Sequence, residues 1–170
     1  MHKEQLEQMV SDLLREAKRQ GADMAEASVQ IQQGLVVTAR LGEAETIEHT
    51  NDHGLGITVY QGQRKGSAST NDLTAKAIKE TVTSACRIAQ YTSQDPAAGL
   101  ADAERMASNI PDLDLNHPWQ IDTTQALQLA CECEDAARSY DARISNSEGA
   151  SVQTENSLFV YGNTHGFIAG

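Results

Sequence analysis

Residues 4–20 carry apolar side chains at Leu6, Met9, Val10, Leu13, Leu14 and Ala17. Steps of three and four place them on one stripe, which predicts an amphipathic helix, and Gly21 ends it. The period then changes to two. Ala27, Val29 and Ile31 point one way, while Ser28, Gln30 and Gln32 point the other. Leu35, Val37, Ala39 and Leu41 continue the alternation after Gly34, so two strands with one buried face are predicted here. Gly42-Glu43 reads as a hairpin turn into a third strand, Ala44 to His49. Asn51-Asp52-His53-Gly54 is a further turn signal, and Leu55, Ile57 and Val59 mark a fourth strand. Gln61-Gly62-Gln63 turns the chain into a fifth, Arg64 to Ser69.

Asn71-Asp72-Leu73-Thr74 supplies capping side chains for a helix over 75–91, whose core face is Ile78, Val82, Ala85 and Ala89. Residues 92–122 read as a loop holding Pro96, Pro111, Pro118 and the single Trp119. So long a connection is expected to pack on the surface, anchored by Leu113, Leu115 and Trp119. Thr123 or Thr124 then caps a helix to Tyr140, with Ala126, Leu129, Ala130, Cys133, Ala136, Ala137 and Tyr140 as its stripe. A short strand at Arg143-Ile144-Ser145 follows. The main strands of the end are Ala150–Thr154, Leu158–Tyr161 and His165–Ala169, with turns at Glu148-Gly149 and Gly162-Asn163. The order α-βββββ-α-loop-α-βββ segregates strands from helices, which argues an α+β fold with largely antiparallel sheet. Gly54, Gly56 and Gly66 flank or interrupt strands, so backbone geometry is expected to require each.

The formal net charge of −11 is uneven: residues 1–89 hold 10 basic and 12 acidic side chains, residues 90–170 hold 3 and 12. So acidic a chain gains little from counterion release on phosphate, which argues against direct nucleic-acid binding. No apolar run approaches the roughly 18 residues of a membrane helix, and the polar start lacks the middle of a secretory signal. A cytoplasmic protein without a membrane span is expected. Cys86, Cys131 and Cys133 are too few and odd in number for a disulfide framework. Buried or half-buried free thiols are expected.

Candidate chemistry is sparse. Gly54-Leu-Gly-Ile is half of a dinucleotide loop and leads into a strand instead of a helix. His49 and His53 have the spacing of helical zinc ligands, but the intervening Thr50-Asn51-Asp52 reads as a polar turn. Asp112, Asp114 and Asn116 start like a calcium loop, yet His117 and Thr123 stand where the glycine and the final acid belong. Glu132, Glu134 and Asp135 read as a solvated helix face. No catalytic, cofactor-binding or metal-binding residue is assigned.

Gly54-Leu-Gly-Ile-Thr-Val-Tyr60 and Arg64-Lys-Gly-Ser-Ala-Ser-Thr-Asn-Asp-Leu73 closely resemble the TldD/PmbA family. Ala89–Pro96, Pro111–Pro118, Arg143–Gly149 and Tyr161–Gly166 agree in order, and the likeness leans to the PmbA, or TldE, branch. The resemblance implies a bacterial cytoplasmic metalloprotease family, also known as modulators of DNA gyrase. In it TldD-like and PmbA-like subunits form a heteromeric protease for unfolded peptides, used in microcin maturation and antitoxin degradation. The zinc motif His-Glu-x-x-x-His belongs to the TldD-like subunit, so no cofactor is expected in this chain and zinc is expected on that partner. No position here matches the motif. Residues 1–170 are expected to be the N-terminal domain of a longer protein, with a helix, meander and helix over 1–92, a long loop over 93–122, and a helix and strands over 123–170. The C-terminal domain is then absent. Expected partners are the TldD-like subunit and an unfolded peptide, with self-association left open and neither nucleic acid nor membrane among them. The alternative is a binding module that acts on gyrase or its inhibitors without proteolysis.

Overall fold

The computed structural model describes residues 2–170. In chain order the elements are α1 (Lys3–Arg19), β1 (Met24–Arg40), β2 (Glu43–Gln61), β3 (Arg64–Thr70), α2 (Ala75–Tyr91), a short 3-10 turn (Ala103–Arg105), α3 (Thr123–Arg138), β4 (Ala150–Asn163) and β5 (Ile168–Ala169). One five-stranded antiparallel sheet has the order β3-β2-β1-β4-β5. The α+β class therefore holds, but the strands are fewer and longer than the sequence pattern predicts.

Three punctuation signals are overridden. Gly34 does not separate two strands: a Cβ there would lie 2.9 Å from the Thr154 carbonyl oxygen, so the glycine admits a close neighbour inside β1. Asn51-Asp52-His53-Gly54 is not a turn and lies within β2. The place of β1 between β2 and β4 in the sheet outweighs the local preference of these residues. Likewise Gly162-Asn163 continues β4, and the reversal comes after it, at Gly166 with φ +94°. Arg143–Ser145 is not a strand, and Arg143 is held by the Asp141 carboxylate at 2.7 Å.

By contact density the chain forms two compact units: residues 1–31, 52–113 and 158–170, and residues 32–51 and 114–157. In the first, Leu6, Val10, Leu13, Leu14 and Ala17 of α1 are buried, with Met9 packed beside them. Helix α1 closes as the sequence predicts, with Gly21 at φ +90° and the Ala22 N–H reaching back to Ala17. Thr74 caps α2 by accepting from the Ala77 N–H. Val82, Ala85, Cys86 and Ala89 of α2 join Ala25, Ala27, Val29, Leu55, Ile57 and Val59 in the core. Burying a Val or Leu side chain contributes about 1.5–3 kcal/mol. Of the three glycines expected to be backbone-driven, only Gly66 is crowded. Its Cβ would sit 2.1 Å from the Ala85 carbonyl oxygen, whereas at Gly54 and Gly56 nothing lies nearer than 3.8 and 3.9 Å.

In the second unit, Leu35 and Val37 of β1 meet Ala126 of α3, with Ile121, Leu127 and Val152 at the margin. The cap of α3 is Asp122, one residue before the threonines expected, in a reciprocal box with Gln125. The predicted stripe of α3 is only partly buried. Ala126 and Ala130 are covered, while Leu129, Cys133, Ala136, Ala137 and Tyr140 are exposed. Leu113, Leu115 and Trp119 do not anchor the long loop either, being 66%, 82% and 59% exposed. An apolar letter in a loop carries no information about a partner, which is why the pattern misleads there.

Glu134, expected on a solvated face, is 1% exposed. Its carboxylate accepts the N–H groups of Leu41 and Gly42 at 2.8 and 3.0 Å. These two residues form the β1–β2 turn with φ +53° and +80°, and the former is a strained value for leucine. The Leu41 N–H, then that of Gly42, hold the Glu134 carboxyl below its ordinary 4.5 against the opposing effect of burial. A depressed folded value means that this contribution to stability is present above 4.5 and is lost as pH falls through the folded value. Glu134→Gln should therefore lower the melting temperature at neutral pH. The gap between the variant and the parent should narrow in acid, and a constant gap from pH 7 to pH 3 contradicts this account.

Candidate functional site

Alternation along the strands of the first unit gives the sheet a covered and an open face. Odd positions of β1 and β2 meet the helices, and even positions point away. On the open face the sequence puts the small hydroxyl residues Ser28, Thr58, Ser67 and Ser69 in rows around the bare backbone of Gly56. The hairpin from β2 to β3 fixes this register, with Thr58 opposite Ser67 and their hydroxyls 2.9 Å apart. Gly62 and Gln63 turn the hairpin with φ +52° and +65°. Ser28, Gly56, Thr58, Ser67 and Ser69, together with Glu26 and Tyr161, line a shallow open depression of about 380 Å³.

At its edge Glu26 of β1 accepts two phenol protons. Tyr60 of β2 donates to one carboxylate oxygen and Tyr161 of β4 to the other, both at 2.9 Å. Phe167 leans on the Tyr161 ring, with centroids 6.1 Å apart. Burial first, and then the Glu26 carboxylate, pushes the Tyr60 phenol up to about 12. Burial also raises Tyr161. Both phenols thus keep their protons at neutral pH and act as donors. Among the described residues no Lys, Arg or His forms an ion pair with Glu26. The arrangement can accept hydrogen bonds and attract positive charge. Sequence reasoning did not single out Glu26, Tyr60 or Tyr161. The available signal was an acid within an alternating strand and tyrosines ending two others.

The residues do not fit a metal. His49 and His53 lie four apart on extended β2, about 13 Å at the usual strand rise, too far to share one ion. Among the described residues no group of three or more His, Cys, Asp or Glu is placed to hold a metal. The thiols differ from one another: Cys86 is buried, and burial raises its thiol, whereas Cys133 is exposed, not covered as expected. No helix among the described residues is long and apolar enough to cross a membrane.

A family model described as PmbA/TldA metallopeptidase domain 1 matches residues 25–89, and one described as the PmbA/TldA metallopeptidase central domain matches residues 116–170. The chain belongs to the PmbA/TldD family. A metalloprotease PmbA homolog of Haemophilus influenzae is 48% identical over 165 residues, covering 97% of this chain and 36% of its own length. Metalloprotease PmbA of Escherichia coli O157:H7 is 46% identical with the same coverage. The chain thus spans about a third of the length of the curated relatives it matches. Among solved structures, a candidate modulator of DNA gyrase from Bacteroides thetaiotaomicron superposes with a TM-score of 0.88 at 21% identity, over 99% of this chain and 39% of that one. TldE from Thermococcus kodakarensis gives 0.76 at 16% identity, over 95% and 36%. At such identities these two likenesses carry the fold alone.

With the PmbA/TldD family established, the quoted segments acquire places. Gly54–Tyr60 and Arg64–Thr70 are the hairpin that floors the depression, with Gly66 seated under α2. Arg143–Gly149 leads into β4, and Tyr161 of the segment Tyr161–Gly166 supplies one of the phenols on Glu26.

Proposed function

We propose that this chain is the N-terminal part of a PmbA/TldE-like, non-catalytic subunit of a heteromeric zinc protease. Its role is to wall and hold an unfolded peptide while a TldD-like partner supplies the zinc. The observation that carries the reading is the 46–48% identity to PmbA metalloproteases over 97% of this chain, together with the lean of its hairpin segments to the PmbA, or TldE, branch, whose members lack the zinc motif by the resemblance. The edge position of β3 supports it, because an outer strand offers backbone groups to an extended peptide or a neighbouring subunit. Microcin precursors and antitoxins are the substrate class the resemblance suggests, and the cytoplasm is the compartment.

Reconstitution on an unfolded peptide tests this. The chain alone should be silent, and the full-length protein with its TldD-like partner should be active and sensitive to a chelator. Chelator-sensitive cleavage by the partner-free chain overturns the assignment. A second reading, which the family resemblance leaves open, is direct action on gyrase or its inhibitors without proteolysis. Capture of gyrase and not of a TldD-like protein by the native protein would select it.

A further inference from the structure

We propose that the depression on the open face of β1, β2 and β3 binds a primary ammonium group, with Glu26 as its counter-ion. This rests on the peptide-handling reading above and names what part of a peptide the surface selects: a free N-terminus or a lysine side chain.

Each Glu26 oxygen accepts one phenol proton at 2.9 Å. A carboxylate oxygen has a second lone-pair direction, so acceptor capacity is left on both. The phenols orient the carboxylate as donors, since burial pushes each above its ordinary value and each keeps its proton. No cationic side chain among the described residues completes the pair, and none lines the depression. An anion meets only like charge there. An apolar group would strip water from the carboxylate and hydroxyls without replacing their hydrogen bonds. An ammonium carries the needed charge and three protons, for which Glu26 and the hydroxyls of Ser28, Thr58, Ser67 and Ser69 are the acceptors at hand. The floor is open because Gly56 has no side chain: a Cβ there would meet only the Ser28 Oγ, at 3.9 Å.

The competing account is that Tyr60, Glu26 and Tyr161 merely clamp β2, β1 and β4 together. Nitrogen-labelled full chain titrated with short Gly-Ser peptides separates the two. One peptide has a free N-terminus, a second is acetylated and holds one lysine, and a third is acetylated without lysine. We expect saturable shifts of the Gly56, Ser67 and Ser69 amides with the first or the second, whichever source is used, and none with the third. Glu26→Gln should weaken that binding about tenfold or more, as expected for a hydrogen-bonded charge. Gly56→Val, which fills the floor and keeps the charge, should weaken it as well. Equal response to all three peptides, or to none, overturns the proposal. If Glu26→Gln unfolds, the comparison of peptides on the unaltered chain still decides. Failure here with cleavage by the full-length pair intact condemns this site alone, while a silent pair condemns the reading beneath it.

Discussion

Gly66→Val should destabilise the first unit by about 3 kcal/mol or more, the largest loss expected from a single substitution outside the apolar core. The reason is geometric. A Cβ at position 66 would stand 2.1 Å from the Ala85 carbonyl oxygen, 2.5 Å from the Ala89 nitrogen and 3.1 Å from the Ala89 Cα. All three are backbone atoms of α2, so no side chain can swing aside. Ala85 and Ala89 are themselves fully buried, and α2 is thus pressed against β3 by small residues on both sides. Admitting even a methyl group means lifting the helix and breaking the contacts of Val82 and Cys86 with the core. At about 2–4 °C per kcal/mol for a chain of this size, the melting temperature should fall by roughly 6–12 °C. Hydrogen exchange localises the effect: the α2 amides should lose protection first. Gly56→Val is the matched control, since it adds the same atoms to open space on the same hairpin. An unchanged midpoint for Gly66→Val disproves the close packing of α2 on β3.

Gly149→Ala should cost the second unit about 3 kcal/mol, and for two reasons at once. Its φ is +96°, a region that side chains other than glycine rarely enter, and its Cβ would lie 2.4 Å from the Ala39 carbonyl oxygen. Gly42→Ala separates these contributions. It has φ +80° with nothing within 4 Å, so only conformational strain, about 1–2 kcal/mol, is expected there. Exchange protection over residues 35–40 reports the loss. If Gly149→Ala and Gly42→Ala prove equally costly, the contact with Ala39 contributes nothing.

The helices were legible because a helix states its own period. The stripe from Leu6 to Ala17 and the capping threonine of α2 are local signals, and each is found where the sequence places it. Alternation likewise marks which face of β1 is covered, since each strand repeats every two residues whatever it pairs with. The family, too, was legible, in the hairpin segments that the family models match.

Tertiary structure alone decided the rest. Gly34 and Asn51–Gly54 carry breaker signals, yet pairing with neighbouring strands holds them extended, a cooperative effect absent from any local window. Glu134 lies in an acidic run and looks solvated, but its carboxylate is aimed at two N–H groups more than 90 residues away in sequence. Glu26, Tyr60 and Tyr161 lie on three strands, and only the order β2-β1-β4 brings their oxygens together. Spacing along a chain encodes the faces of single elements. Which faces and edges meet is set by long-range pairing, and so the polar depression became visible only in the folded sheet.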